Sequence, residues 1–108
     1  MSVLAVIPCL NEASHLPDLI EQMLNDKTID QLVVADGGST DGSREIVLSM
    51  ADGKRLVLLD NPDRIQSAGV NRAVATFGAH HRWLLRIDAH CLYPERYAEK
   101  LLASAQHN

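Results

Sequence analysis

The sequence is short of the residues that mark several classes of protein. It has two cysteines, Cys9 and Cys91, too few for a disulfide scaffold. Ten Lys and Arg face 14 Asp and Glu, and the net charge of −4 argues against non-specific binding to nucleic acid or anionic membranes. The longest apolar run, VLAVIPCL, is far shorter than the roughly 20 residues of a membrane span. No basic residue precedes that run as in a signal peptide, so a cytoplasmic location is the simplest interpretation.

What remains is the composition of an ordinary globular domain, with 46% hydrophobic and 22% charged residues among 108. Short apolar runs alternate with segments of helical period, and we see no domain boundary within residues 1–108. The predicted strands are 3–8, 31–36, 55–60 and 83–88. The predicted helices are 16–24, 42–50, 65–77 and one that opens with Pro94, while Asn11 or Ser14 is expected to cap the first. This order predicts an α/β fold, βαβαβαβα, around a mostly parallel, Rossmann-like sheet.

Polar clusters follow each predicted strand. They are PCLNE at 8–12, DGGS at 36–39, DNP at 60–62 and DAH at 88–90. Because the carboxyl ends of parallel strands share one edge, we expect the clusters to converge on a ligand-binding crevice. Carboxylates crowded there repel each other, and either a cation or hydrogen-bond donors in the space between them would relieve that cost. We expect a cation that bridges them to a pyrophosphate. Taken singly, an Asp after a strand is more often a turn former or a helix cap.

Asp88 and His90 are the candidate metal ligands. Two positions apart in an extended run, their side chains point to one face about 7 Å apart along the strand. A carboxylate oxygen together with an imidazole nitrogen suits Mn²⁺, whereas Mg²⁺ binds nitrogen ligands less readily. The alternative is a turn histidine without a metal. A zinc site of Cys9 and Cys91 with His15 and His90 is the weaker interpretation, since no C-x-x-C spacing exists and half-buried thiols explain the pair.

Asp36 opens the segment DGGSTDGS, whose glycines and small hydroxyl residues allow a tight turn before the next helix. A carboxylate there can accept the imide N–H of a uracil or the paired N–H groups of a guanine. The alternative is a plain glycine-rich turn, because the segment is neither G-x-G-x-x-G nor a P-loop.

Together, four segments resemble the family 2 glycosyltransferases, whose nucleotide-sugar-binding domain has the GT-A fold. In chain order they are VIPCLNEASHL, VVADGGSTDGS, NPDRIQSAGVNRAV and LLRIDAHCLYP. The last two look closest to the subgroup that builds succinoglycan-type exopolysaccharides. The resemblance implies an inverting enzyme that transfers a sugar from a nucleoside diphosphate to an acceptor hydroxyl, in exopolysaccharide or cell-surface glycan synthesis.

The resemblance also implies roles for individual residues. Pro8, Asn11 and Glu12 would line the nucleotide pocket, and Asp36 would hold the base. Arg64 and Asn71 would lie near the base or the diphosphate. Asp88 would lie near the ribose and the metal, and His90 would be a metal ligand. The implied cofactor is a divalent cation, Mn²⁺ or Mg²⁺. The implied partners are a UDP- or GDP-sugar and a glycan or lipid-linked acceptor, with no nucleic acid.

Three departures from the family pattern matter. Gly37 follows Asp36 where many relatives have a second aspartate, and His90 stands where the common metal motif ends in Asp. The third is length: we expect only the donor-binding half here, with the catalytic base beyond Asn108 and the fragment alone inactive. We then expect uncovered apolar surface that favours self-association, and an intact protein that associates with membranes.

Two other functions stay open. A sugar-nucleotide nucleotidyltransferase shares this kind of core, but its first loop is usually rich in glycine with a basic residue, and PCLNE has neither. A non-catalytic nucleotide-binding or interaction module is the second alternative.

Overall fold

The computed structural model describes residues 2–106 and has the predicted α/β architecture. The strands are β1 Val3–Cys9, β2 Gln31–Asp36, β3 Leu56–Asp60 and β4 Trp83–Arg86. The helices are α1 Leu16–Asn25, α2 Ser43–Met50, α3 Gln66–Phe77 and α4 Tyr97–Gln106, with a short 3₁₀ turn at Gly78–His80. All strand pairs are parallel, in the order β3-β2-β1-β4.

The register places the polar clusters at one edge of the sheet. Cys9 pairs with Asp36, and Asp36 pairs with Asp60. On the other side of β1, Val6 pairs with Arg86, so the residues after Arg86 lie beside the end of β1. Asp36, at the end of β2, and Asp88, two residues after β4, therefore lie at the same edge of the sheet.

Helices cover both faces of the sheet. Val3, Ala5 and Ile7 of β1 pack with buried residues of α1, α2 and α4, whereas Leu4 and Val6 pack on the other face with Ala73 of α3. Every residue of β1 is buried. A central strand covered on both faces reads as a continuous apolar run, which explains the VLAVIPC pattern.

The start of α1 differs from the prediction. Neither Asn11 nor Ser14 caps it; His15 holds the N-cap position without a side-chain bond. The backbone carbonyl of Glu12 accepts the N–H groups of His15 and Leu16 instead. Asn11 has left-handed backbone geometry (φ 54°) and its Oδ1 already accepts the N–H of Thr40, so its side chain is committed elsewhere.

The last strand and helix are both shorter than predicted. α4 begins at Tyr97 rather than Pro94, because Arg96 has a left-handed backbone (φ 56°) that interrupts the helix. The Asp26 carboxylate caps it by accepting the N–H of Ala98 at 2.8 Å. β4 ends at Arg86 rather than residue 88, and the chain turns at 88–91.

Some apolar surface lies open near the last strand and helix. Leu84, Leu92 and Leu101 are 49%, 100% and 41% exposed. Self-association through this surface stays a prediction. In the described part of the chain, no helix combines the length and apolar character needed to cross a bilayer.

Candidate functional site

Two neighbouring cavities lie at the carboxyl edge of the sheet. The first, which we call the Asp88 cavity, has a volume of about 210 Å³ and is lined by residues from three of the four predicted clusters. The second, the Asp36 cavity, has about 590 Å³ and is lined by residues around the ends of β2 and β3. Asn61 and Arg64 line both. The predicted convergence of the clusters is therefore confirmed, as two adjoining cavities rather than one crevice.

Asp36 is buried and held by its own loop. Its side chain is 1% exposed. Oδ2 accepts the N–H groups of Gly38 and Ser39, both at 3.0 Å, and Oδ1 accepts the Ser39 hydroxyl at 2.5 Å. Arg44 donates a fourth bond to Oδ2 at 3.2 Å. Oδ2 therefore accepts three bonds and Oδ1 one, so most of the acceptor capacity of the carboxylate is already used within the chain.

These bonds also set the charge of Asp36. Burial by itself raises the pKa of the carboxyl group, but the hydrogen bonds from Ser39, Arg44 and Gly38 outweigh it and hold the pKa below its ordinary value. Asp36 is therefore a carboxylate at neutral pH, and its charge is compensated within the chain.

Arg44 supplies that compensation, and the sequence analysis did not identify it. From the first turn of α2 its guanidinium contacts Asp36 at 3.2 Å and Asp60 at 2.6 Å. For this pair the second of the two expected alternatives holds, because the hydrogen-bond donors of an arginine lie between the carboxylates. An arginine soon after DGGSTDGS, in a chain with several strand-end aspartates, was the available clue.

Backbone and side-chain bonds join the loop after β1 to the loop after β2. The Asn11 N–H donates to Ser39 Oγ, and Asn11 Oδ1 accepts the Thr40 N–H, both at 2.8 Å. The Glu12 N–H donates to Ser43 Oγ at 3.0 Å. Asn11, an exposed predicted pocket residue, thus fixes the two loops relative to each other.

Arg64 lies between the two cavities. Its backbone is left-handed (φ 65°), and its Nε donates to the Gly37 carbonyl at 3.0 Å. A Cβ added at Gly37 would approach the Arg64 Cα to 3.3 Å, so glycine permits this close packing. The guanidinium is thereby held beside the turn of the Asp36 loop.

Asn61 is a second residue that the sequence analysis passed over, although it lies within the DNP cluster. It is 3% exposed and its Nδ2 donates to the Ile65 carbonyl at 2.9 Å, which fixes the orientation of the amide. Its Oδ1 is buried with no partner among the described residues. A buried acceptor normally has a donor, so Oδ1 is a candidate to accept a hydrogen bond from a bound ligand.

Asp88 and His90 line the Asp88 cavity together. The predicted extended geometry is wrong, because Asp88 Oδ1 accepts the His90 N–H at 2.9 Å in a tight turn. The Asp88 N–H in turn donates to the Tyr93 hydroxyl at 2.8 Å. This turn brings a carboxylate and an imidazole to one cavity by a different route from strand alternation.

Glu12 reaches the same place from the loop after β1. Its Oε1 lies 3.0 Å from His90 Nε2, and its side chain is 11% exposed. Its Oε2 is buried and has no partner in the described chain. The His15 ring meets the His90 ring edge-on, with centroids 5.5 Å apart.

The remaining predicted residues differ in position. Pro8 lines the Asp88 cavity. Asn71 is exposed in the middle of α3 and lines neither cavity, so its role stays a prediction. The cysteines are not a half-buried pair: Cys9 is buried and Cys91 is exposed. Burial, followed by the charge of Asp36, raises the pKa of Cys9 to about 11, so this thiol is protonated at neutral pH.

The same four segments match a known family. The family model described as "Glycosyl transferase family 2" matches residues 4–108. The chain belongs to glycosyl transferase family 2. Within that family it is 55% identical over 107 residues to the succinoglycan biosynthesis protein ExoA of Rhizobium meliloti (strain 1021). The alignment covers 96% of this chain and 32% of that relative, so the chain spans about a third of the relative's length. The predicted family and subgroup resemblance is confirmed.

Solved structures share the fold. The mannosyltransferase PcManGT from Pyrobaculum calidifontis, in complex with GDP-Man and Mn²⁺, superposes with a TM-score of 0.72 at 24% identity, over 94% of this chain and 32% of that one. Glucosyl-3-phosphoglycerate synthase from Mycobacterium tuberculosis, in complex with Mn²⁺, UDP and glucosyl-3-phosphoglycerate, gives 0.70 at 20% identity, over 97% and 39%. At these identities the likeness shows the fold, and the predicted GT-A, Rossmann-like architecture is confirmed.

Proposed function

We propose that this chain is the donor-binding part of an inverting glycosyltransferase that uses a nucleoside diphosphate sugar. The observation that carries the proposal is that Glu12, Asn61, Arg64, Asp88 and His90 line one cavity at the carboxyl edge of the sheet. Open α/β sheets bind nucleotides at this edge. ExoA and the two solved neighbours support the same class of donor, since the neighbours are complexes with GDP-Man and with UDP.

We expect the nucleoside diphosphate sugar to occupy both cavities, with different parts of the molecule in each. We propose that the base and ribose lie over Asn61 and the Asp36 loop, with Asn61 Oδ1 accepting an N–H or O–H of the nucleoside, because that oxygen is buried without a partner in the described residues. The diphosphate lies against Arg64, of which Nε is already bonded to Gly37. A guanidinium suits phosphate because it is planar and always charged.

Asp88 and His90 fit a divalent cation. They face the same cavity with one carboxylate and one imidazole, a donor set that suits Mn²⁺ better than Mg²⁺. A cation bound there supplies positive charge that stabilises the diphosphate leaving group. The chain's own contribution is the turn in which Asp88 holds the backbone of His90, so that both side chains stay at the diphosphate end.

In the proposed reaction the acceptor hydroxyl attacks the anomeric carbon from the side opposite the diphosphate. The bond from that carbon to the diphosphate oxygen breaks, its electron pair stays on the diphosphate, and a base takes the hydroxyl proton. We propose that this base, and the glycan or lipid-linked acceptor site, lie in residues outside these 108. The chain's coverage of 32% of ExoA is consistent with that division.

Calorimetric titration tests the proposal. UDP and GDP, each with Mn²⁺, are titrated into the 108-residue chain, and we expect one nucleotide to bind at a single site. Asp88→Asn should weaken binding at least tenfold. Glu45→Gln, an exposed acid on α2 that lines neither cavity, is the matched control and should not. Failure of both nucleotides to bind would overturn the proposal, and sugar transfer by this chain alone would overturn the placement of the base.

A further inference from the structure

A second group of potential metal ligands lies at the Asp88 cavity and extends beyond it to His15. Glu12, His15 and His90 each offer one ligand atom, and the three atoms lie within 4.8 Å of one another. The residues come from the loop after β1, the N-terminus of α1 and the turn after β4. Only His90 belongs to the D-x-H pair, so this set differs from the one proposed for the donor.

The spacing of the ligand atoms fits a first-row transition metal. Two ligand atoms that each lie about 2.1 Å from a tetrahedral ion are about 3.4 Å apart. Glu12 Oε1 and His90 Nε2 are separated by 3.0 Å. The His15 ring is already adjacent to the His90 ring, with a centroid distance of 5.5 Å. Because the ligand atoms of all three residues lie within 4.8 Å of one another, we expect rotation of the exposed His15 side chain to bring its nitrogen to the same ion.

The Glu12 carboxylate supplies an independent observation. Oε2 is buried and unpartnered in the described residues, and the whole side chain is 11% exposed. A carboxylate oxygen removed from water without a donor is costly, and a cation beside it removes that cost. The ions can reach the cluster from solvent, because His15 and His90 are exposed and His15 lines a cavity of about 270 Å³ on the α1 side.

We propose that Glu12, His15 and His90 form a binding site for Zn²⁺ that needs no nucleotide. Two imidazoles and one carboxylate form a three-ligand set that is common for zinc and leaves a coordination position open. Mg²⁺ prefers oxygen ligands and is not suited to a site with two imidazole nitrogens. The cation proposed for the donor, by contrast, has two protein ligands, and oxygens of the diphosphate would supply further ligands. Zinc in this site occupies His90 Nε2, so, resting on the proposed function, it opposes Mn²⁺-dependent binding of the donor.

The test is a Zn²⁺ titration of the 108-residue chain without nucleotide, by calorimetry and by competition with a chromophoric chelator. We expect one Zn²⁺ per chain and no binding of Mg²⁺. His15→Ala and Glu12→Gln should each weaken Zn²⁺ at least tenfold. His80→Ala removes another exposed histidine, away from the cluster, and should leave the Zn²⁺ affinity unchanged. Zn²⁺ should also shift the imidazole nitrogen resonances of His15 and His90 but not of His80.

The result separates this proposal from the proposed function. His15 is outside the donor site, so His15→Ala should keep Mn²⁺-dependent nucleotide binding while it loses Zn²⁺. Absence of stoichiometric Zn²⁺ binding, or equal effects of His15→Ala and His80→Ala, would overturn the zinc site and leave the donor proposal standing. A thermal melt of His15→Ala without metal confirms that the variant is folded, which is expected because the His15 side chain makes no capping bond.

Discussion

Arg44 lies between Asp36 and Asp60 and pairs with both, at 3.2 and 2.6 Å. Asp36 is almost fully buried, whereas Asp60 is largely exposed, so the contact with Asp36 contributes more to the stability of the fold than the contact with Asp60. We expect Arg44→Ala to lower the free energy of unfolding by about 1–2 kcal/mol, because it leaves a buried carboxylate one donor short. Urea unfolding at pH 7 measures this.

Arg72→Ala is the matched control for Arg44→Ala. Arg72 also lines the Asp36 cavity, but it is exposed on α3 and makes no ion pair among the described residues. The Arg72→Ala substitution should lower the free energy of unfolding by less than about 0.5 kcal/mol. Equal losses from the two substitutions would contradict the role given to Arg44.

The lowered pKa of Asp36 predicts sensitivity to acid. Since the folded-state pKa is below the unfolded value of about 3.9, this group's contribution is present above that value and is lost as the pH falls through the folded pKa. Ser39→Ala removes the hydroxyl donor to Oδ1 and should move the acid transition to higher pH. Urea unfolding between pH 7 and pH 3 measures the shift, and Ser49→Ala, whose hydroxyl bonds only the Ile46 carbonyl, should leave it in place.

The two cysteines should differ sharply in reactivity. Cys91 is exposed, whereas Cys9 is buried and its pKa is raised to about 11. At pH 8 a thiol reagent should modify Cys91 quickly and Cys9 only at the rate at which the fold opens. Cys91→Ser should abolish the fast phase and Cys9→Ser the slow one. A fast phase that survives Cys91→Ser would contradict this assignment.

The Cys9 thiol also predicts a loss of stability in alkali. Its pKa is raised in the folded state, so its contribution to stability is complete below the ordinary thiol pKa of 9.0 and declines as the pH rises towards about 11. Cys9→Ala should reduce the decline in unfolding free energy between pH 9 and pH 10.5. An unchanged slope would mean that Cys9 is accessible to solvent.

Asp26 links two helices that are far apart in sequence. Its Oδ2 accepts the N–H of Ala98 at 2.8 Å, and its Oδ1 accepts that of Thr28 at 3.1 Å. Asp26→Ala should cost about 1–2 kcal/mol, because α4 loses its N-terminal acceptor in a buried place. Asp26→Asn keeps an acceptor oxygen and should recover part of that loss. Thermal unfolding compares them, and equal melting temperatures for the two variants would rule out a capping role.

The unpartnered Oδ1 of Asn61 predicts a role in donor affinity. Asn61→Ala should weaken nucleoside diphosphate binding about tenfold, the effect of one lost hydrogen bond to a buried partner. Calorimetry at saturating Mn²⁺ measures it, with stability followed separately because Nδ2 also bonds the Ile65 carbonyl. Unchanged affinity would place the nucleoside elsewhere.

The fold could be predicted from the sequence because the spacing of apolar residues indicates which segments are strands and which are helices. β2 has the predicted bounds, and the four helices appear in the predicted order. The errors fall where tertiary contacts decide local structure. Pro94 could have opened α4, but the helix begins after Arg96, where Asp26 from α1's C-terminal side supplies the cap. A bond between residues 72 positions apart leaves no trace in local pattern.

The candidate site was predictable in its members more than in its contacts. Glu12, Arg64, Asp88 and His90 share one cavity as the motifs suggested. The contacts of Arg44, Asn61 and His15 could not be read from spacing, because each depends on which side chain lies across a gap between separate loops. Asp36 shows the limit most clearly: its position was predicted, but its four hydrogen bonds were not.

The place of β4 in the sheet decides when the site can form. Trp83 pairs with Val3, so the chain must close a loop of about 80 residues before this strand docks on β1. β4 is an edge strand with β1 as its neighbour, and Asp88 and His90 follow it directly. Fraying of that one strand would separate the two proposed cation ligands from the rest of the site, while the Asp36 loop, which is bonded to the loop after β1 and to Arg44 of α2, stayed assembled. We therefore expect the affinity of this chain for a divalent cation to depend on how firmly β4 is attached to the sheet.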